Sequence, residues 1–226
     1  MCGRYSISKS AVEWGCLFGA TVGDDISGAV YNAAPTMVLP VIGMQEPGRV
    51  QYFSWGISKR WDSSSHMPTL LINARAESVF EKMTFKDWVF HNRCIVPADG
   101  FYEWTGNGKE RQPWRFSLLD DGVFAFAGLY APISATLGND RMAFCIITTQ
   151  ANSLIAPFHD RMPVMLRKDQ AHTWLTASAK EHLQPCLEVF PAEDLKVHKV
   201  SPKINKAGVN TPDLILPWQS PELTLF

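Results

Sequence analysis

The amino terminus of the chain reads Met-Cys-Gly-Arg-Tyr, and its second residue is the first candidate for covalent chemistry. An initiator methionine is usually removed when the next residue is small, so we expect the mature chain to begin with Cys2. Cys2 then carries both a free α-amine and a thiol, a pair of nucleophiles that an internal cysteine lacks. Gly3 has no side chain and lets the backbone lie close to a bound molecule.

Four further stretches hold polar residues where a purely structural segment would be apolar. They read "YNAAP" (31–35), "LLINARAES" (70–78), "VPADGFYEW" (96–104) and "TTQANSLIAPFHDRMPVML" (148–166). The candidates within them are Asn32, Pro35, Asn73, Arg75, Glu103, Trp104, His159, Asp160 and Arg161. Loops at the ends of sheet strands are where binding and catalytic residues gather, which favours a functional role for this set.

The titratable candidates also have structural explanations. Glu103 could be an ion-pair partner of Arg115 or Arg75, and His159 could simply bond to Asp160. Both alternatives stay open on the sequence alone.

Two more candidates depend on whether their segments are loops or helices. Asn73 could cap a helix that the next residues begin. Trp61, in "SKRWD", is flanked by charges and followed by three serines, which indicates a loop and an indole available for base stacking.

Composition limits the class of protein. The chain has 226 residues, 46% hydrophobic and 19% charged, with a formal net charge of −1. It has no apolar run of the ~18 residues needed to cross a bilayer, and no secretory signal is visible. Five cysteines without a CxxC pair argue against a disulfide framework or a zinc ribbon. We therefore expect a cytoplasmic protein without a metal or cofactor, not bound to a membrane.

A protein that coats duplex DNA non-specifically would usually be more basic than this chain. A nucleic-acid partner would therefore need a local groove. The stretch "LKVHKVSPKINK" (195–206) has four lysines and no acid, and it is equally typical of a solvated strand edge.

The predicted elements place helices at both ends of a strand-rich middle. Strands are predicted in 36–43, 49–57, five apolar or alternating stretches between 93 and 150, and 195–200. Helices are predicted in 7–20, with Ser8 or Ser10 as cap, and in 74–92, 168–177 and 178–187. Without βαβ alternation, this order predicts one α+β domain over residues 1–226, with a curved, largely antiparallel sheet.

Taken together, six stretches resemble the SOS-response-associated peptidase (SRAP) family of abasic-site processing proteins. They are "MCGR", "YNAAP", "INARAES", "CIVPADGFYEW", "TTQAN" and "HDRMPV", in the family's order, with a weaker echo in 200–215. The resemblance implies a barrel-like α+β fold with short flanking helices. It also implies binding of single-stranded DNA and a covalent bond between the amino-terminal cysteine and an abasic deoxyribose.

The resemblance assigns roles to residues of this chain. Cys2 supplies the amine and thiol that close a thiazolidine on the sugar aldehyde, while Glu103 and His159 transfer protons and Asn73 orients the reactants.

A second set is implied for the DNA strand. Arg4, Arg75 and Arg161 are expected on the phosphates, Pro35 and Trp61 against the bases, and Trp104 along the pocket. Met83 departs from the pattern, because some relatives carry an arginine there; Lys82 or Lys86 is a possible substitute.

Two other functions remain open. Class II glutamine amidotransferases also begin Met-Cys-Gly, although they continue with an apolar residue and an "RTR"-like motif that this chain lacks. A module that senses damaged DNA without bonding to it is the other alternative. In every case a monomer in the cytoplasm, associated with the nucleoid when DNA is bound, is the simplest expectation.

Overall fold

The structure is a computed structural model that describes residues 2–23, 28–59, 69–106, 108, 111–133 and 141–219. Its strands are β1 (Tyr5–Ile7), β2 (Val30–Ala33), β3 (Val38–Gly43), β4 (Gln51–Trp55), β5 (Ile57–Lys59), β6 (Thr69–Leu71), β7 (Asn73–Arg75), β8 (Arg93–Ala98), β9 (Gly100–Thr105), β10 (Gln112–Leu118), β11 (Phe124–Pro132), β12 (Met142–Gln150), β13 (Arg161–Pro163), β14 (Met165–Leu166) and β15 (Leu195–Lys199). Its α-helices are α1 (Ala11–Phe18), α2 (Trp88–His91), α3 (Lys168–Thr176) and α4 (Lys180–Leu183).

Five strands close into a ring at the centre of the molecule. The order is β12, β4, β3, β8 and β11, and β11 pairs again with β12. Among the described strand pairs, only β12–β4 and β12–β7 are parallel. The α+β class, the barrel-like curvature and the largely antiparallel pairing predicted from the sequence are thus confirmed.

Two of the barrel strands, β8 and β11, are buried along nearly their whole length because both of their faces are covered. Every residue of β8 is buried, and so are all but the last residue of β11. Packing across these strands is tight at Gly128, where an added Cβ would lie 2.9 Å from the sulfur of Cys94. Continuous apolar strands of this kind are typical of sheets buried on both sides.

A second sheet has the order β15, β10, β9, β1 and β2 and carries the amino-terminal residues. In β1, the buried ring of Tyr5 packs against Trp55 of β4 at 5.3 Å and Phe126 of β11 at 5.6 Å between ring centroids. These contacts anchor β1 on the barrel and thereby fix the residues that precede it.

Local signals set the limits of α1. The hydroxyl of Ser10 accepts a hydrogen bond from the backbone N–H of Glu13, and Gly19 ends the helix with a φ of 71°. This N-cap and this left-handed glycine are the usual boundary signals of an α-helix.

Arg93 holds α2 and α3 on the barrel. It is fully buried, and its guanidinium donates to the carbonyl oxygens of Trp174 and Ala177 at the end of α3 and of Val89 and Phe90 in α2. Backbone carbonyl oxygens in the last turn of a helix have no hydrogen-bond donor within the helix, and the guanidinium of Arg93 provides the donors here.

Residues 200–215, which we call the C-terminal strap, cover one face of the second sheet. Ile204 and Leu214 of the strap pack with Tyr102 of β9 in a small apolar cluster. The side-chain amide of Asn32 in β2 donates to the carbonyl of Val209 over 2.9 Å, with longer contacts to Ile204 and the neighbouring Lys206 carbonyl. The strap therefore joins the carboxyl-terminal part of the chain to the residues around Arg4.

One of the predicted helices is wrong over most of its length, and two are shorter than predicted. The stretch 74–92 begins as strand β7, continues through a short 3-10 turn at Ala76–Ser78, and is α-helical only at Trp88–His91. Pairing of β7 with β12 overrides its helical pattern. The helix predicted in 7–20 is confirmed over Ala11–Phe18. The one predicted in 178–187 is confirmed from Lys180 to Leu187, as α-helix to Leu183 and as 3-10 helix after it. No helix among the described residues is long and apolar enough to cross a membrane.

Candidate active site

Cys2 lies in the core, with no exposed surface. Its sulfur is 3.9 Å from the carbonyl oxygen of Arg4. Burial raises the pKa of the thiol well above its usual range, and the negative charge of Glu103 raises it further. The thiol is therefore protonated at neutral pH, and it lies close enough to Glu103 to interact with its charge.

Glu103 belongs to β9, the strand that pairs with β1. The pairing of Tyr5 with Phe101 extends, by antiparallel register, to place Gly3 opposite Glu103. Glu103 is 5% exposed, and burial raises its pKa to about 7, against the lowering effects of the amino-terminal charge and Arg111. At neutral pH it is thus present in both protonation states.

Arg115, one of the two alternative partners considered for Glu103, is engaged elsewhere. Arg115 pairs with Asp99 at 3.0 Å, and its guanidinium also donates to the hydroxyl of Ser6. This buried network lies among the residues that join β1, β9 and β10.

His159 lies in the loop between β12 and β13. Its Nδ1 accepts a hydrogen bond from the backbone N–H of Arg161 over 2.9 Å and lies 2.7 Å from Oδ1 of Asp160. Burial lowers the pKa of His159, and the nearby amino-terminal charge lowers it as well. The neutral ring is therefore favoured near pH 7, with the backbone N–H of Arg161 bound at Nδ1.

The preceding residue, Phe158, fixes the position of this loop. Its ring packs edge-to-face against Trp114 at 5.2 Å and Phe116 at 5.1 Å between centroids, both on β10. Trp114 is paired in register with Glu103, so the same strand supports both titratable residues.

Asn73 begins β7, and its Nδ2 donates a hydrogen bond to the carbonyl oxygen of Cys2 over 3.0 Å. The helix-cap alternative is wrong: the 3-10 turn that follows starts after Arg75 and has no side-chain cap. The other amide atom of Asn73, Oδ1, is buried and has no hydrogen-bond partner among the described residues. A buried polar atom without a hydrogen bond lowers the stability of the fold, unless a bound molecule supplies the missing partner.

A polar cavity of about 450 Å³ adjoins these residues. Its lining residues are Gly3, Arg4, Glu103, Trp104, Gly108, Arg111, His159 and Asn205. Four residues predicted for the site thus meet in one cavity, next to buried Cys2. A larger, more apolar cavity of about 600 Å³ between α1 and α3 contains none of the predicted residues.

Arg4 and Trp104 are held by the C-terminal strap. Nη1 of Arg4 donates to Oδ1 of Asn32 over 2.6 Å and to the carbonyl of Ile204 over 3.0 Å. Nε1 of Trp104 donates to Oδ1 of Asn205 over 2.6 Å. The stretch 200–215, which matches the family pattern only weakly, therefore forms a segment that orients two residues of the cavity.

The remaining predicted DNA-binding residues lie outside the cavity lining. Arg75 is exposed at the end of β7, and Pro35 is half-buried in the turn between β2 and β3. The guanidinium of Arg161 forms two bonds with Glu77, at 2.5 and 2.9 Å, so contact with a phosphate requires it to exchange that partner. Trp61 lies outside the described residues.

The basic stretch 195–206 is mostly neutralised or stacked. Lys196 pairs with Asp121 and Lys203 with Asp213. The ammonium of Lys199 lies 5.4 Å from the ring centroid of Trp114.

Sequence reasoning missed Arg111 and Asn205. Arg111 immediately precedes β10, and its position over Trp104 of β9 depends on how these two strands pair. Among the described residues, no three His, Cys, Asp or Glu side chains are grouped so as to hold a metal ion.

Comparison with known proteins identifies the family. A family model described as SOS response associated peptidase (SRAP) matches residues 1–207. The chain belongs to the SRAP family. This membership replaces the glutamine amidotransferase interpretation.

Named SRAP relatives are abasic site processing proteins. YoqW of Bacillus subtilis (strain 168) is 36% identical over 189 residues, covering 82% of this chain and 84% of YoqW. YedK of Escherichia coli (strain K12) is 29% identical over 226 residues, covering 96% of this chain and 100% of YedK.

A solved structure agrees with this SRAP fold. The X-ray structure of a protein from Bacteroides thetaiotaomicron superposes with a TM-score of 0.84 at 26% identity, covering 96% of this chain and all of that one.

Proposed function

We propose that this SRAP protein binds single-stranded DNA as a monomer of one domain and joins Cys2 covalently to an abasic deoxyribose. The adduct is a thiazolidine, and it shields the lesion during the response to DNA damage. The observation that carries the proposal is the burial of Cys2 beside Glu103, next to a polar cavity that both Glu103 and His159 line. The names of the relatives support abasic sites as the substrate.

The reaction begins with the α-amine of Cys2, which becomes available when Met1 is removed. The unperturbed pKa of an α-amine is ~7.7–8.0, so a useful fraction is uncharged near neutral pH. The uncharged amine adds to the aldehyde of the ring-opened sugar, and loss of water gives an imine. The protonated state of the buried thiol supports this order, because the amine is the stronger nucleophile until the imine forms.

The thiol then closes the ring. Its sulfur adds to the imine carbon while its proton passes to the imine nitrogen, giving a five-membered thiazolidine. The addition is intramolecular, so proximity favours it strongly. A lysine imine lacks this second step and stays open to hydrolysis.

Glu103 and His159 carry the proton transfers. A carboxyl with a pKa of about 7 can donate a proton to the departing water and accept one from the thiol. In the neutral ring favoured at His159, Nδ1 accepts the Arg161 N–H and Nε2 carries the proton, so this residue is suited to donate a proton to the ring oxygen as the sugar opens. Asn73 holds the Cys2 backbone through its carbonyl, and its buried Oδ1 can accept a hydrogen bond from the amine. The same groups running in reverse would release the sugar.

DNA contacts come from arginine, proline and tryptophan side chains. Arg4, Arg75 and Arg161 bind phosphates, Pro35 and Trp61 stack on bases, and Trp104 lines the pocket. The peptidase activity in the family description corresponds, in our proposal, to self-removal of Met1, since an amide at the Cys2 nitrogen prevents imine formation.

The deciding experiment is the intact mass of the purified protein, with and without a single-stranded oligonucleotide that contains one abasic site. We expect protein lacking Met1, and an adduct equal to protein plus DNA minus one water that survives heat and SDS. Cys2→Ala should abolish this adduct, and Cys2→Ser should give a weaker product that borohydride traps. Cys16→Ala, which removes an exposed thiol, is the matched control and should react like the wild type.

Two results would overturn the proposal. A heat-stable adduct on protein that retains Met1 would exclude the thiazolidine. Binding of the abasic strand without any covalent product would identify a sensor that does not bond to its lesion.

A further inference from the structure

Arg111, Trp104 and Asn205 contact one another on the wall of the candidate site. The guanidinium carbon of Arg111 is 4.7 Å from the ring centroid of Trp104, and the backbone carbonyl of Arg111 accepts a hydrogen bond from Nδ2 of Asn205 over 3.2 Å. Asn205 in turn accepts the indole N–H of Trp104. Stacking on an aromatic face leaves the in-plane N–H groups of a guanidinium available to a ligand.

The positive charge in this cavity is only partly balanced, because Glu103 is the one carboxylate among the lining residues and its raised pKa leaves it incompletely ionised at neutral pH. Arg4 donates to neutral oxygens of Asn32 and Ile204, and burial, together with the positive charge of Arg111, lowers the pKa of Arg4. Within the described part of the chain, neither Arg4 nor Arg111 forms an ion pair with a carboxylate. Two guanidinium groups that line one cavity, neither of them in a direct ion pair with a carboxylate, are typical of an anion-binding site.

We propose that Arg111 is a phosphate-binding residue that contacts the DNA backbone next to the abasic sugar. This inference rests on the function proposed above and extends its binding site to a residue of the β9–β10 hairpin. Trp104 serves as the surface on which the guanidinium is held, and Asn205 of the C-terminal strap fixes both partners. A planar guanidinium offers a phosphate two parallel hydrogen bonds, which a lysine ammonium cannot do.

The same charge acts on the titratable residue of the site. Burial and the charge of Asp160 raise the pKa of Glu103, whereas the amino-terminal charge and Arg111 lower it. Cys2 and His159 are the other titratable groups beside Glu103. Removing Arg111 should therefore move the ionisation of Glu103 to higher pH, in addition to weakening DNA binding.

The test separates binding from bond formation. Binding is measured with a single strand that contains tetrahydrofuran, a stable abasic analogue without an aldehyde, over a range of salt concentrations. Arg111→Ala should weaken binding about tenfold and reduce the slope of log K against log salt by about 0.7. Arg111→Lys should keep the slope, because it keeps the charge, while binding less tightly than the wild type.

Arg49→Ala is the matched control. Arg49 is a well-exposed arginine in the β3–β4 turn, outside the cavity lining, and its removal should leave the slope unchanged. A slope for Arg111→Ala equal to those of the wild type and Arg49→Ala would overturn the phosphate contact. A salt slope for Arg111→Lys as low as that of Arg111→Ala would overturn it too, since it would show that the charge at this position does not set the slope.

The rate of adduct formation against pH gives a second readout. In Arg111→Ala the midpoint assigned to Glu103 should move to higher pH, and an unmoved midpoint would overturn the electrostatic effect. If the wild type forms no adduct at all, the proposed chemistry fails while the tetrahydrofuran data still decide the role of Arg111.

Discussion

The side-chain amide of Asn73 donates a hydrogen bond to the carbonyl oxygen of Cys2, although 71 positions separate the two residues in the chain. Parallel pairing of β7 with β12 places Asn73 there. The contact holds the backbone of the proposed nucleophile and leaves the buried Oδ1 of Asn73 as an acceptor close to it.

We expect Asn73→Ala to slow adduct formation about tenfold or more at saturating DNA, because the amine is no longer oriented. Affinity for a tetrahydrofuran strand should change little, since Asn73 does not line the cavity. Single-turnover rates and binding curves separate the two effects. An equal loss in both would mean that Asn73 supports the fold or the DNA groove, not the reacting group.

The raised pKa of Glu103 predicts how stability depends on pH. Its pKa rises from an ordinary 4.5 to about 7, so the folded state binds more protons than the unfolded state between these values. The free energy of unfolding should therefore fall as pH rises through this interval, by on the order of 3 kcal/mol. Glu103→Gln should remove this fall and be more stable than the wild type at pH 8. Urea unfolding of both proteins at pH 5 and pH 8 measures this effect. The burial effect would be contradicted if the free energies of unfolding of Glu103→Gln and the wild type differed by the same amount at both pH values.

Asn32 links Arg4 to the C-terminal strap. Asn32→Ala removes the acceptor for Arg4 and a donor to the carbonyl of Val209, both in a nearly buried position. We expect a loss of about 1–3 kcal/mol in the free energy of unfolding and weaker DNA binding. Asn32→Asp retains the acceptor for Arg4 but adds a carboxylate that competes with a phosphate for it, so it should recover part of the stability but not the DNA binding. Identical behaviour of the two variants would show that Arg4 is positioned by other contacts.

Arg75 is exposed at the end of β7 and is proposed to contact a phosphate. Arg75→Ala should weaken binding to single strands of any sequence and lower the salt slope by about 0.7, without changing the unfolding transition. Fluorescence anisotropy at several salt concentrations measures the slope. A salt slope equal to that of the wild type would show that Arg75 does not contact a DNA phosphate.

Glu77 competes with DNA for Arg161. Because the two side chains form paired bonds, Glu77→Gln should free the guanidinium and tighten binding of single-stranded DNA a few-fold. The gain should disappear in the double variant with Arg161→Ala. Tighter binding that persists in the double variant would mean that Glu77 acts only by its general negative charge.

Local signals in the sequence were sufficient where one residue and its near neighbours decide the outcome. The serine cap and glycine end of α1 are of this kind, and so are the apolar runs that became β8, β11 and β12. The helix predicted in 74–92 failed for the opposite reason, since β7 exists only because β12 is there to pair with it.

The same division applies to the candidate site. Residue types and motifs marked Cys2, Glu103, His159 and Asn73, because the chemistry of an amine, a thiol, a carboxyl and an imidazole belongs to each residue alone. They could not mark Arg111, whose role depends on an aromatic ring in the facing strand and on Asn205 in the strap.

The sequence by itself determined which reactive groups the chain possesses and which caps and turns bound its local elements. Only the tertiary structure decided that Arg4 meets the carbonyl of Ile204, 200 positions away, and that burial raises the pKa of Glu103 to about 7. The physical reason is that contact and desolvation depend on how distant strands pair and pack, and no stretch of the chain contains that information alone.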